Sequence, residues 1–248
     1  MTFDPKSLVA HRGWPSRYPE NTLAGFCAAI GAGARNLEFD VQLTRDQVPM
    51  VIHDHTTKRT GASAEDLFNL SANSASEISV GEPKRFADRF ADSTIPTLAE
   101  VIAMLDTFSG QVFVEIKRAS ILRFGNDRCI DAILPLTDRL GARGVIISFD
   151  PEAVSMAQSK GARQTGWVIS AYDKQTLSAA ADMQPDYLFV KRSRIARKKL
   201  PPNENWRWVV YDVNTPKQAL ELFDRGAEMV ETDFIGEFLA NGDQDSDQ

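Results

Sequence analysis

Eight short apolar runs, each followed by a segment with helical patterning, constrain this chain more than any other feature. They are LVAHRG (8–13), NLEFDVQL (36–43), QVFVEIKR (111–118), GVIISFD (144–150), QTGWVIS (164–170), YLFVKRS (187–193), RWVVYDV (207–213) and MVETDFI (229–235). Most are rich in Val, Ile and Phe, which pack well on a pleated surface. Apolar strands that alternate with helices predict parallel pairing, because a parallel partner is reached only through a long crossover, usually a helix.

The helices carry their own start and stop signals. NTLAGFCAAIGAGA begins at Asn21 or Thr22 and stops near Gly33, and TLAE at 97–100 spaces Thr97 and Glu100 so that each side chain satisfies the other's free amide. DPEAVSMAQSKG and TPKQALELFDRG share one plan, with Asp150 or Thr215 as cap, proline at the first helical position and glycine at the far end. Eight such units with right-handed crossovers predict a closed (β/α)8 TIM barrel. A doubly wound open sheet is the structural alternative, but no Gly-rich phosphate fingerprint follows the first run.

At 248 residues, the length suits one barrel. The expected organisation is a single domain over 1–240 with a small insertion at about 55–95 after the second barrel strand, then a disordered acidic tail, NGDQDSDQ, at 241–248. PMVIHDHTTKRTG reads as an extra strand beside the second one, and SASEISVGEPKRFADRF as weakly helical loop. A formal net charge of −6 argues against broad binding to nucleic acid or anionic membrane. With no apolar stretch near the roughly 20 residues of a membrane span and no signal-like start, a cytoplasmic protein without integral membrane contact is expected. Cys27 and Cys129 lie in helix-like segments without metal or redox spacing, so both are expected to be buried free thiols.

Charges inside these strands are the functional signal. Side chains alternate faces along a strand, so Glu38 and Asp40 in LEFDV point one way together, as do Glu115 and Lys117 in VEIK. Carboxylates buried there must be paired, metal-bound or at the active-site rim. Three from two strands make an oxygen-rich nest for one hard divalent ion, Mg²⁺ or Ca²⁺, with Mn²⁺ as a third option. A buried ion pair of Lys117 with one acid accounts for EIK as well, but leaves the third carboxylate unexplained. Of the three histidines, His11 and His53 end strand-like runs and suit acid–base work near neutral pH; His55 is given no role. Arg12 offers a forked set of donors and Lys117 a point charge, so an anionic substrate is expected.

HRGWPSRYPENT, EFDVQLTRDQVPMVIHD, IPTLAEVI, VEIK and ISFDPE, in this order, resemble the successive motifs of the glycerophosphodiester phosphodiesterases, over about residues 8 to 235. The resemblance implies a TIM barrel that uses a divalent metal to hydrolyse glycerophosphodiesters to glycerol 3-phosphate and an alcohol. It places the family's His-Arg on His11 and Arg12, its metal pair on Glu38 and Asp40, its second histidine on His53, and its Glu-x-Lys on Glu115 and Lys117. Glu20, in the Pro-Glu-Asn-Thr turn, is expected to hold the first loop in shape. Departures fall late: Tyr211, Asp212, Val213 and Asn214 stand where the family usually has Trp-Thr-Val-Asn, and ETDFIGEF lacks the proline that commonly follows TDF. Tyr211 can still form an apolar wall, Asp212 adds a rim charge, and Lys191, at the head of the basic run 191–199, can attract a second anionic group. A small anionic phosphodiester is the expected ligand. A phosphodiesterase for lysophospholipids or sugar phosphodiesters and a catalytically silent binding barrel are the alternatives; the sequence carries no reading of oligomeric state.

Overall fold

The computed structural model of the chain describes residues 3–195, 199–202 and 205–240. The acidic tail expected at 241–248, and 196–198 of the basic run, lie outside the described residues.

Nine strands form one sheet: β1 (Leu8–His11), β2 (Asn36–Leu43), β3 (Pro49–Val51), β4 (Gln111–Ile116), β5 (Gly144–Ser148), β6 (Thr165–Ile169), β7 (Tyr187–Lys191), β8 (Arg207–Tyr211) and β9 (Met229–Thr232). The order β1-β9-β8-β7-β6-β5-β4-β2 closes through a β1–β2 pairing, and all eight of these strands are parallel, which makes a (β/α)8 barrel. The remaining strand, β3, runs antiparallel to β2 on the outside of the closed ring, as the PMVIH segment predicts. Between it and β4 lie short helical turns, Ala72–Ala75 and Pro83–Phe86 among them, over a separate apolar cluster that includes Met50, Leu67 and Ile95.

Alternation along the strands sorts the side chains into two cores. Val9, Phe113, Val145, Ile147, Val168, Phe189, Val209 and Met229 point inward and fill the barrel. The opposite faces, with residues such as Leu8, Phe39, Val114 and Ile146, pack outward on the helices. The helix signals hold in detail: Thr97 and Glu100 form a reciprocal capping box, Asp150 and Thr215 cap with proline behind them, and Gly161 and Gly226 follow at φ +92° and +99°.

One expectation is corrected. Cys129 is buried, and burial pushes its thiol up to about 12, but Cys27 is exposed. The buried face of its helix, Leu23–Gly31, is carried by Gly25, Phe26 and Ala29, which leaves Cys27 on the outer side, 3.5 Å from the Met104 sulfur.

Candidate active site

The inward face that carries Val9 and Phe113 ends, at the carboxyl side of the barrel, in His11, Asp40, Glu115 and Glu231. Register brings these together. His11 pairs with Glu38 across β1–β2, Asp40 with Glu115 across β2–β4, and Val9 with Glu231 across β1–β9. Charged residues from four strands therefore crowd one end of the barrel, where substrates bind in this architecture.

The loop after β1 is wound tightly enough to turn Arg12 back over the acids. Arg12 takes a left-handed backbone (φ +51°) and Gly13 follows at φ +91°, where an added Cβ would lie 2.8 Å from the Gly25 carbonyl carbon. The Arg12 amide donates to the Glu38 carbonyl oxygen at 2.9 Å and to Glu38 Oε2 at 3.2 Å. Its guanidinium lies 2.9 Å from Asp40 Oδ2 through Nε and 3.3 Å from Glu20 Oε1 through Nη1. Asn21 Nδ2 donates to Asp40 Oδ2 at 2.9 Å, and Thr22 caps the first helix, so the Pro-Glu-Asn-Thr turn both launches that helix and steadies an acid. Glu20 is clasped by Arg59, at 2.6 and 2.7 Å, as well as by Arg12.

Ligand atoms of Glu38, Asp40 and Glu115 lie within 4.8 Å of one another, and all three residues are buried. Lys117 Nζ sits 3.1 Å from Asp40 Oδ1 and 2.7 Å from Glu115 Oε1. The ion pair considered for EIK therefore exists, and it engages two acids of the cluster. Burial would raise Asp40, but Arg12 and Lys117 hold it far below the ordinary carboxylate range. Burial likewise opposes the charge on Lys117, and Asp40 and Glu115 more than restore it. Glu38 differs: burial and the charges of Asp40, Glu231 and Glu115 push its carboxyl well above the ordinary value. Its Oε1 is buried without a hydrogen bond, and none of the described ion pairs reaches that atom.

Both histidines are oriented through Nδ1. His11 Nδ1 is 2.7 Å from Asp233 Oδ1, with Nε2 3.4 Å from Glu231 Oε1 and 3.9 Å from Glu38 Oε2. Burial and Arg12 pull the His11 pKa down, but Glu231 and Asp233 outweigh them and raise it. Glu231 is pushed up to about 7 by burial, against the pull of His11. His53 lies two residues past the end of β3, with Nδ1 2.7 Å from Asp54 Oδ1. Arg59 holds the other Asp54 oxygen at 2.9 Å. The carbonyl oxygen of His53 accepts from Gln42 Nε2 at 2.8 Å, and Gln42 Oε1 accepts from Ser120 Oγ at 2.6 Å.

His11, Arg12, Glu38, His53, Glu115, Lys117, Lys191 and Tyr211 all line one cavity of about 230 Å³. Asp40, fully buried, lies behind it. Ile147, Phe149, Val168, Phe189 and Tyr211 supply an apolar wall. Burial and the charges of Glu231 and Asp212 keep the Tyr211 phenol protonated well above its usual range. Lys191 reaches the rim, where Asp212 pairs with it at 2.8 Å.

Four residues of this site, Glu231, Asp233, Gln42 and Arg59, are not among those singled out from the sequence. Glu231 carries the same signal as Glu38, a carboxylate on the inward face of an apolar strand, and the alternation rule finds it in MVETDFI. Asp233 follows on the same face by that count.

The sequence model of the glycerophosphoryl diester phosphodiesterase family matches residues 11–237. A glycerophosphodiester phosphodiesterase of Caldanaerobacter subterraneus is 36% identical over 127 residues, 51% of this chain and 51% of that one. The match with this relative thus spans about half the length of each. Glycerophosphodiester phosphodiesterase 1 of Mus musculus is 26% identical over 244 residues, 97% of this chain and 70% of the relative. Among solved structures, an Oleispira antarctica phosphodiesterase in complex with the product sn-glycerol-3-phosphate superposes with a TM-score of 0.82 at 20% identity, covering 94% of this chain and 95% of that one. A glycerophosphodiester phosphodiesterase of Agrobacterium tumefaciens gives 0.75 at 22% identity over 97% and 100%.

Proposed function

Since the chain belongs to the glycerophosphoryl diester phosphodiesterase family, we propose that it hydrolyses small glycerophosphodiesters to glycerol 3-phosphate and an alcohol, with His11 and His53 as proton carriers and a divalent ion held by the carboxylate cluster. The observation that carries this reading is the pair of carboxylate-oriented histidines lining one cavity with buried acids and two cations.

The cluster fits a metal. Its donors are all carboxylate oxygens, which suit Mg²⁺ or Ca²⁺, with Mn²⁺ as a third candidate. Glu38 Oε1, buried beside other negative charges and without a hydrogen bond, is the donor that a cation would engage. Glu38, Asp40 and Glu115 are the proposed ligands, with Glu231 and His11 forming an adjoining group around Glu38. An ion bound there would supply Lewis acidity at the phosphoryl oxygens and ease deprotonation of a hydroxyl.

The chain's own residues account for the rest. Arg12 and Lys117 offer fixed positive charge to the phosphoryl oxygens, and both already face the cavity in that arrangement. With Nδ1 bound to a carboxylate, each imidazole has its Nε2 left for proton transfer, the arrangement that fixes tautomer and ring direction in acid–base catalysis. One histidine takes the proton of the attacking hydroxyl, from water or from the neighbouring glycerol hydroxyl, and the other gives a proton to the leaving alkoxide. Where the glycerol hydroxyl attacks, water then opens the cyclic phosphate, adding to phosphorus as one P–O bond of the ring breaks and its oxygen takes a proton, to give glycerol 3-phosphate. The apolar wall of Phe189, Val168 and Tyr211 covers carbon-bound hydrogens of the substrate. A cavity of about 230 Å³ with charged groups on one side and Phe189, Val168 and Tyr211 on the other suits a small diester.

The test is release of glycerol 3-phosphate from a panel of glycerophosphodiesters by protein stripped with chelator and resupplied with Mg²⁺, Ca²⁺ or Mn²⁺. Metal-dependent release is the expected result. A folded, metal-loaded protein that releases none from any of them would overturn the reading.

A further inference from the structure

A second cavity, of about 390 Å³, adjoins the first and shares His53, Glu115, Lys117 and Phe149 with it. Those shared residues form the boundary between the two spaces. A phosphodiester has two arms on one phosphorus, so a phosphate seated at such a boundary sends one arm to each side. The smaller space has the apolar wall and suits the constant glycerol arm. The larger one suits the variable alcohol. Its own walls are Gln42, Asp54, His55, Thr56, Arg118 and Ala119.

Counting charge on these walls leaves one group over. Asp54 is engaged by His53 and Arg59, His55 Nδ1 lies 3.1 Å from Asp66 with its ring stacked on Phe68, and Lys117 is divided between Asp40 and Glu115. Gln42 is buried, and its amide is spent on Ser120 and the His53 carbonyl oxygen. Arg118 makes no ion pair with any described residue, and its side chain is exposed beside the cavity. Stability does not explain its position: it begins the helix Arg118–Phe124, where a cation opposes the helix dipole, and the first turn has no acid to offset it.

We propose that this second cavity is the leaving-alcohol subsite, and that Arg118 gives it a preference for alcohols bearing an anionic group such as a carboxylate. The proposal rests on the phosphodiesterase reading above and names the substrate class for that same site. Lys117, next to Arg118 and held by two acids, faces the phosphate, so Arg118 is the group that meets charge farther out on the leaving arm. A solvent-exposed charge-assisted contact of this kind is worth roughly two- to fivefold in specificity.

The experiment compares kcat/KM for three diesters of glycerol 3-phosphate, whose leaving alcohols are glycolate, ethylene glycol and choline. The wild type is expected to prefer the glycolate diester over the ethylene glycol diester by about two- to fivefold, chiefly through KM. In Arg118→Gln that ratio should fall towards one, and in Arg118→Glu the order should turn towards choline. An unchanged ratio in both variants, or an equal loss on all three substrates, would overturn the proposal while leaving the phosphodiesterase reading intact. Wild-type inactivity on all three with activity on other glycerophosphodiesters would overturn this proposal alone; inactivity of the folded, metal-loaded protein on every glycerophosphodiester would overturn the phosphodiesterase reading, and this proposal with it.

Discussion

Asp233 Oδ1 lies 2.7 Å from His11 Nδ1, joining residues 222 positions apart across the β9–β1 seam of the barrel. Asn214 in turn stands 3.5 Å from the other Asp233 oxygen. The carboxylate accepts the Nδ1 proton and so leaves Nε2, which faces Glu231 at 3.4 Å, as the nitrogen for proton transfer. Asp233→Asn can donate from its amide instead and stabilise the opposite tautomer. We expect kcat to fall about 10²-fold with KM little changed, in steady-state kinetics on a glycerophosphodiester. A normal kcat would remove Asp233 from the machinery.

His11→Ala and His53→Ala should each lower turnover by at least about 10²-fold if the two act as acid and base. The double variant should be much less impaired than the product of the single effects, because groups that act in one proton relay lose their worth together. Near-normal turnover in either single variant would sink the assignment.

Gln42 spans the space between Ser120 and the chain that bears His53. Gln42→Ala leaves the Ser120 hydroxyl without its buried acceptor and the His53 carbonyl without its donor. The expected cost is about 1–3 kcal/mol of stability. With the His53 loop released, kcat should also drop about tenfold. Chemical denaturation and kinetics on the same preparation separate the two, since a purely structural role would lower stability and spare kcat in the folded enzyme.

Much of the barrel and its acid cluster is legible in the sequence because barrels repeat. Period-two alternation alone points Glu38 and Asp40 the same way, and the same rule reaches Glu231 once each apolar run is scanned for acids. What stays hidden depends on closure and on loops. Asp233 meets His11 because β9 lies beside β1, a neighbour relation that exists only when the ring is shut. Arg59 joins Glu20 and Asp54 from the segment after β3, whose path carries no periodic signal. The exposure of Cys27 escapes pattern reading because a nine-residue helix of mostly small apolar residues has no polar stripe to mark its outer face.

Glu20 links the two histidine loops through Arg12 and Arg59, and it gives the fold a defined acid limit. Burial would raise its pKa, but Arg59 and Arg12 hold it below the ordinary value. A carboxyl with a depressed folded-state pKa contributes stability that is fully present above its unfolded pKa, about 4.3, and is lost as the pH falls through the folded value. Glu20→Gln should therefore cost about 2 kcal/mol at pH 7, less than a fully buried pair because the Arg59 side chain is 45% exposed. Below the unfolded pKa the gap to wild type should narrow progressively as the pH falls. Thermal melts from pH 7 to pH 3 test this, and a gap that stays constant would exclude Glu20 as the titrating group.

The acid cluster predicts opposite effects of one substitution with and without metal. Glu38 is buried beside Asp40, Glu115 and Glu231, and its Oε1 has no partner, so in the metal-free protein its charge opposes folding. Glu38→Gln keeps the shape and an acceptor for the Arg12 amide while removing that charge. The chelator-treated variant should melt higher than chelator-treated wild type, and each 1 kcal/mol gained corresponds to about 2–4 °C for a chain of this size. Wild type should gain stability from added Mg²⁺, Ca²⁺ or Mn²⁺, by about 2.7 kcal/mol at a hundredfold excess over Kd, because a ligand that binds only the folded state stabilises by mass action. Glu38→Gln should lose most of that gain. A variant that melts lower without metal and still responds fully to it would place the ion, and the origin of the raised Glu38 pKa, somewhere other than this cluster.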